Sequence, residues 1–254
     1  MTINPSLFYS IVYIWIAIAL VIFPVVLRIV APYGRHTTAK WGPLINNRLG
    51  WIIMESPALV AFAFYFLFGK LHHNIVPYIF FSFWMVHYIN RTLVFPFRLR
   101  TKGKKMSVTI VVMAFFFNMV NAFINGYYLG NLSGGYQLSW LYDPRFILGF
   151  ILFSSGLIIN WHSDNILIHL RKPGETGYLI PRGGFFRYIS CPNHFSEMIE
   201  WTGFALMTWS LPALAFAIWT LVNLIPRALH HHRWYRETFA EYPPNRKAFL
   251  PFIL

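Results

Sequence analysis

One cysteine, Cys191, and eight acidic residues are all that this 254-residue chain has of either kind. A lone cysteine excludes an internal disulfide and any cysteine-built metal site, leaving a packed thiol beside Pro192 as the expectation. Charge of any sign is scarce, at 11%, against 57% hydrophobic residues and a mean hydropathy of +0.50. A soluble domain could not bury that much apolar surface, so the composition is that of a membrane protein. No alternating strand pattern is present either, which leaves a closed helix bundle, because lipid does not tolerate unpaired backbone. No Gly-x-Gly-x-x-Gly follows a strand, so a Rossmann nucleotide site is missing. No linker, low-complexity tract or helical-repeat period divides the chain, and residues 1–254 read as a single domain.

What the chain has is apolar length and unevenly placed basic residues. Seven apolar stretches lie near 7–28, 51–69, 75–97, 107–125, 146–168, 194–209 and 211–227. Most can cross a hydrocarbon core of roughly 30 Å at about 1.5 Å per residue. The last two are short, with Pro212 marking a tight hairpin between them. On this arrangement 19 of the 21 Lys and Arg residues fall on one side, with Lys70 and Arg145 on the other. The positive-inside rule then predicts an all-α integral membrane protein, a seven-transmembrane helix bundle with its N-terminus outside and its C-terminus cytoplasmic. The same alternation explains the net charge of +13 without nucleic acid as a partner. The tail from His230 to Tyr242 reads as a basic amphipathic helix at the cytoplasmic surface, stopped by Pro243-Pro244.

Polar chemistry is set into the apolar background between Asn160 and Trp201. Asn160 and Asp164 lie one turn apart on one helix face, and Asn193, Glu197 and Glu200 share another. Between them runs a basic, glycine-bearing loop with Arg171, Lys172, Gly177, Pro181 and Gly183-Gly184, whose breakers can bring backbone N–H groups close to phosphates. Ionisable residues cost about 3 kcal/mol or more near mid-bilayer, so they usually face a polar interior. Taken alone, these faces suit either interhelical hydrogen bonding or a nucleotide cofactor. Arg227, His231 and Tyr235, at i, i+4 and i+8, suit either a phosphate clamp or a snorkelling anchor. His230, His231 and His232 point different ways around a helix, which argues against metal. Glu55 stands alone in an apolar span ahead of Pro57 and is expected to be protonated or hydrogen-bonded. Tyr88, by composition, is an interface aromatic.

In order along the chain, these residues resemble the steroid 5α-reductase family, nearest to its type 2-like members. The resemblance starts at Pro32-Tyr33-Gly34-Arg35-His36 and continues through Glu55-Ser-Pro57, Val86-His87-Tyr88, Asn90-Arg91-Thr92, Asn125-Gly126-Tyr127-Tyr128 and Asp143-Pro-Arg145-Phe146. It then runs from Asn160 to Trp201 and closes at Arg227 to Tyr235 and Tyr242-Pro243. It implies NADPH-dependent reduction of the Δ4 double bond of a 3-oxo-Δ4 steroid or similar enone entering from the bilayer. It assigns the cofactor to Tyr33, Asn160, Asp164, Arg171, Tyr178, Asn193, Glu197, Arg227, His231 and Tyr235, in the region 160–242 on the cytoplasmic side. Glu55 and Tyr88, in spans two and three, become the catalytic pair at the ketone, with Arg91 and Trp201 also at the substrate and no metal. The host membrane would be the plasma or inner membrane of a bacterium or the endoplasmic reticulum of a eukaryote. Family members often carry Gln before this Glu; Met54 here implies one fewer polar contact at the ketone end. Phe62, Phe66, Phe115, Phe116, Phe117 and Phe123 together suit a flat apolar substrate. Two other readings weighed against this one are a membrane methyltransferase using S-adenosylmethionine, from Arg233-Trp-Tyr-Arg-Glu237, and a non-catalytic lipid-binding protein.

The charge asymmetry predicts that cysteines introduced at Gly103 and Gly134 label from opposite sides of the membrane, with Gly103 cytoplasmic. Labelling of both from one side would sink the seven-span arrangement.

Overall fold

The computed structural model describes residues 3–30, 34, 37, 39–70, 74–100, 103–172, 175 and 177–253. Tyr33, expected at the cofactor, lies outside the described residues. The helices are α1 (Pro5–Arg28), α2 (Asn47–Leu67), α3 (Ile75–Ile89), α4 (Phe95–Arg98), α5 (Val108–Tyr127), α6 (Pro144–His169), α7 (Pro192–Thr208) and α8 (Leu211–Thr238). Five helical segments (5–28, 47–67, 108–132, 144–169 and 211–238) are long and apolar enough to cross a membrane. The third expected span is helical throughout but not uniform. A π-helical turn, Asn90–Val94, joins α3 to α4. Pro96 accounts for the break, since it has no N–H to offer the carbonyl of Thr92. π turns recur at functional sites, and this one carries Arg91.

Local signals start and stop the helices where the sequence places them. Asn4, Asn46, Asn74 and Asp143 each cap a helix by accepting from a backbone N–H two residues on. Between α7 and α8 the turn is as tight as Pro212 implied: Trp209 adopts φ 45° and Ser210 caps α8. At Asp143, Oδ1 and Oδ2 also take the Arg145 guanidinium at 2.9 and 2.8 Å, and these bonds hold its carboxyl at a pKa of about 2. Because the folded value lies below the ordinary 3.8, this cap stabilises the fold above that pH and is lost as pH falls through about 2.

Two expectations are corrected. A short antiparallel pair, Leu44–Asn46 with Lys105–Ser107, ties the loop before α2 to the loop before α5. Three-residue strands are too short to leave a period in the sequence. The last helix is also longer than the short seventh span. It runs unbroken through Pro226 and absorbs the expected surface helix, yet ends at Thr238, before Pro243-Pro244. Phe239 turns extended, and Tyr242 folds back to stack on Tyr235 with centroids 5.3 Å apart.

Packing is led by aromatics and glycines. Trp84, fully buried, stacks on Phe62 at 4.3 Å and meets the rings of Trp201 and Phe216, while its indole N–H donates to the carbonyl of Ala58. Phe116 of the expected aromatic set instead points outward, 64% exposed. Helices α6 and α7 touch backbone to backbone. A Cβ on Gly156 would fall 2.6 Å from the carbonyl of Ser196 and 2.7 Å from the nitrogen of Glu200; one on Gly203 would fall 2.7 Å from the carbonyl of Gly149. Small residues permit such close approach between membrane helices.

Gly156→Val should therefore force α6 and α7 apart and cost about 1–3 kcal/mol or more. Thermal unfolding in detergent checks this; a melting point equal to the parent's would contradict the close contact.

Candidate active site

The close α6–α7 contact draws two polar faces together, as the sequence spacing implied. Asn160, 1% exposed, donates from Nδ2 to the carbonyl of Asn193 at 3.2 Å and to Oε1 of Glu197 at 3.3 Å. Its own Oδ1 is buried without a hydrogen-bond partner among the described residues. Arg91 enters from the π turn. Its guanidinium reaches Asp164 at 3.4 Å and Glu197 at 3.3 Å, and lies over the rings of Trp51 at 4.7 Å and Phe95 at 4.9 Å. One planar cation therefore joins the acids of both faces and rests against an edge-to-face pair of aromatics, Trp51 and Phe95, whose centroids lie 5.1 Å apart.

One turn back on α3, His87 and Tyr88 are both buried. His87 Nδ1 lies 2.7 Å from Oε1 of Glu200, which is fully buried. Glu200 thus faces α3 rather than Asn160, and its Oε2 has no hydrogen-bond partner among the described residues. Tyr88 sits among Trp84, His87 and Trp201, with centroids 5.1, 4.9 and 5.7 Å away. Trp201, 2% exposed, walls this region together with Phe216 at 4.5 Å.

Glu55 owes its setting to Pro57 and to α5. Pro57 deprives the carbonyl of Ile53 of its helical donor, and the Ser56 hydroxyl takes that role at 2.9 Å. Asn118 of α5 donates from Nδ2 to the Met54 carbonyl at 2.7 Å and to Oε2 of Glu55 at 3.1 Å. An amide is therefore present at Glu55 after all, supplied by another helix. Sequence reasoning missed it, although Asn118, Asn121 and Asn125 form a buried polar stripe at i, i+3 and i+7 of an apolar helix.

The remaining cofactor-region residues gather at the far end of α8. Arg171 donates to the carbonyl of Gly177 at 2.8 Å and approaches the ring of Tyr178, which sits edge-on against Trp234 at 5.3 Å. The basic loop is so folded against the segment that carries Arg227, His231 and Tyr235. The rings of His231 and His194 lie 5.7 Å apart, bringing α8 to the start of α7. The three consecutive histidines do diverge: His230 reaches the carbonyl of Leu27, whereas His232 meets the Ser190 hydroxyl at 2.6 Å. Among the described residues no group of three His, Cys, Asp or Glu side chains is placed to hold a metal.

Removing one partner of the buried His87–Glu200 hydrogen bond leaves the other unsatisfied and should cost about 1–3 kcal/mol. Glu200→Leu should melt well below the parent in detergent, and His87→Phe with Glu200→Leu should recover much of the loss. Equal melting of single variant and parent would contradict the pairing.

Comparison with known proteins sets this geometry in a family. The family model for 3-oxo-5-alpha-steroid 4-dehydrogenase matches residues 104–254. The chain is 40% identical to the tomato (Solanum lycopersicum) steroid 5-alpha-reductase DET2 over 254 residues, covering 98% of each protein. It is 41% identical to rat (Rattus norvegicus) 3-oxo-5-alpha-steroid 4-dehydrogenase 1 over 230 residues, 88% of this chain and 86% of the relative. The human (Homo sapiens) protein of that name is 40% identical over 223 residues, 87% and 85% of the two chains. These mammalian relatives carry the number 1 and lend no support to a leaning toward type 2-like members. With a matching model over more than half its length and relatives of this identity over nearly all of it, the chain belongs to the steroid 5α-reductase family.

Proposed function

We propose that this protein is a multi-pass membrane oxidoreductase that reduces the Δ4 double bond of a 3-oxo-Δ4 steroid, or a similar enone lipid, with NADPH. The observation that carries the reading is a set of polar side chains from α2, α3, α6 and α7 held inside an apolar bundle: His87, Tyr88, Asn160, Asp164 and Glu200 are buried, Arg91 reaches Asp164 and Glu197, and half-buried Glu55 is bonded by Asn118. Ionisable groups at this depth are rarely kept without a use. The names of the relatives, steroid 5-alpha-reductase and 3-oxo-5-alpha-steroid 4-dehydrogenase, support the reduction of the steroid double bond, while the cofactor is assigned from the residues below.

The residues present fit the cofactor. The buried, unpartnered Oδ1 of Asn160 is an acceptor suited to an amide or hydroxyl donor, and a nicotinamide carboxamide and a ribose offer both. Asn160, Asp164, Asn193 and Glu197 would hold that end, with Arg171, Tyr178, Arg227, His231 and Tyr235 toward the phosphates and adenosine. When bound, NADPH supplies the hydride that goes to the β-carbon of the enone. Arg91 keeps Asp164 and Glu197 in place as acceptors. The Tyr88 hydroxyl and Glu55 serve the ketone oxygen as negative charge moves onto it, a contact stronger in the transition state than in the ground state. Trp84, Trp201 and Phe216 keep water from this end. The α-carbon then takes a proton, and the ketone is restored.

For the membrane, we take all seven apolar stretches as spans, with the N-terminus outside and the cofactor end cytoplasmic. The 19-to-2 division of basic residues supports this orientation. The continuous helical run through 75–98 supports the third span. A methyltransferase reading has no comparable use for Glu55 beside Tyr88.

Two results test the proposal. Arg171→Ala and Asn193→Ala should each weaken NADPH binding while the protein stays folded; unchanged affinity in both would mean that another molecule is bound. Tyr88→Phe removes only the hydroxyl and should lower turnover of a 3-oxo-Δ4 steroid by about a hundredfold to a thousandfold, with NADPH binding retained. Near-parental turnover would reduce Tyr88 to a packing aromatic.

A further inference from the structure

The ketone end depends on a residue outside the family motifs. Asn118 is 4% exposed and reaches across from α5 to α2. A backbone carbonyl can only accept, so the Asn118 atom 2.7 Å from the Met54 oxygen is the amide nitrogen. That contact orients the whole amide. The nitrogen's second hydrogen then points to Oε2 of Glu55, 3.1 Å away. The unprotonated, carbonyl-type oxygen of a carboxyl is the better acceptor, so the N–H at Oε2 favours Oε1 for any proton that Glu55 holds or shares. Without the anchor the carboxyl would flip about its last torsion, which is broad and two-fold, and present either oxygen.

We propose that Asn118 is a positioning residue for the reaction: anchored on the Met54 carbonyl, it holds Oε2 of Glu55 as an acceptor and commits Oε1 to the ketone. This rests on the role given to Glu55 under Proposed function. Met54 takes part through its backbone carbonyl, while its side chain packs in the core. The carboxyl is aimed before substrate arrives, so the reorientation does not add to the barrier.

The test is a double-mutant cycle on the full-length protein in detergent. Asn118→Leu keeps the volume and removes both donors. It should lower kcat by about tenfold to a hundredfold, with KM and NADPH affinity within about twofold of the parent. Combined with Glu55→Gln, the further loss should shrink to under about twofold, because a residue acting through Glu55 has nothing left to act on. Parental kcat, or a loss undiminished in the Glu55→Gln background, overturns the proposal. Should Asn118→Leu fail to fold, Asn118→Asp keeps the shape, loses the paired donors and should show the same pattern. Infrared difference spectra against Glu55→Gln isolate the Glu55 carboxyl band without turnover. Asn118→Leu should shift that band, and an unmoved band overturns the anchor itself. A shifted band beside a Glu55→Gln variant of parental turnover would instead overturn the role of Glu55 at the ketone, and the positioning role with it.

Discussion

Arg91 is what allows the acids of α6 and α7, Asp164 and Glu197, to sit together inside this bundle. Taking a carboxylate out of water costs several kcal/mol, and a single arginine offsets that only with good geometry and further hydrogen bonds. Arg91 reaches both Asp164 and Glu197, and Asn160 adds a donor to Glu197. The geometry in turn requires other features. The π turn before Pro96 carries Arg91, Trp51 and Phe95 lie against its guanidinium, and glycines let α6 and α7 close to backbone contact so that their acids fall within its reach. A side chain at Gly156 acts on the site through this chain of constraints without touching it.

Beyond that centre the polar groups divide between two ends. Toward α2, Glu55, Asn118 and Tyr88 lie against a wall of large aromatics. Toward the far end of α8, the donors are basic and the loop after α6 folds back onto the helix through Tyr178 and Trp234. An apolar end with a few directed polar groups beside a basic end is the division expected of a site for a flat lipid and an anionic cofactor. Ser190, which holds both His232 and Tyr242 at 2.6 Å, joins that loop to α8 and to the C-terminal segment.

Much of this was legible in the sequence because helical spacing is local. That Asn160 shares a face with Asp164 and Asn193 one with Glu197, the divergence of the three histidines and the hairpin at Pro212 all follow from one helix read at a time. What was hidden depends on how helices meet. That Glu200 turns to His87 instead of joining Glu197, and that Asn118 supplies the amide missing at Met54, are contacts between helices whose relative rotation no single period reveals. The extension of the last span through Arg227, His231 and Tyr235 was legible from their spacing; the end of α8 at Thr238, short of Tyr242, was not. The strand pair escaped because three residues carry no pattern.

The central claim is that this buried arrangement directs a hydride from the cofactor to the β-carbon of an enone. The most direct measurement uses NADPH deuterated at the transferring position of the nicotinamide, a 3-oxo-Δ4 steroid and the purified protein, with the product analysed by mass spectrometry and NMR. The account predicts one deuterium, on the former β-carbon, with the ketone intact and the α-hydrogen taken from elsewhere. Deuterium at the carbonyl carbon of an alcohol product, at the α-carbon, or nowhere in the steroid would contradict it.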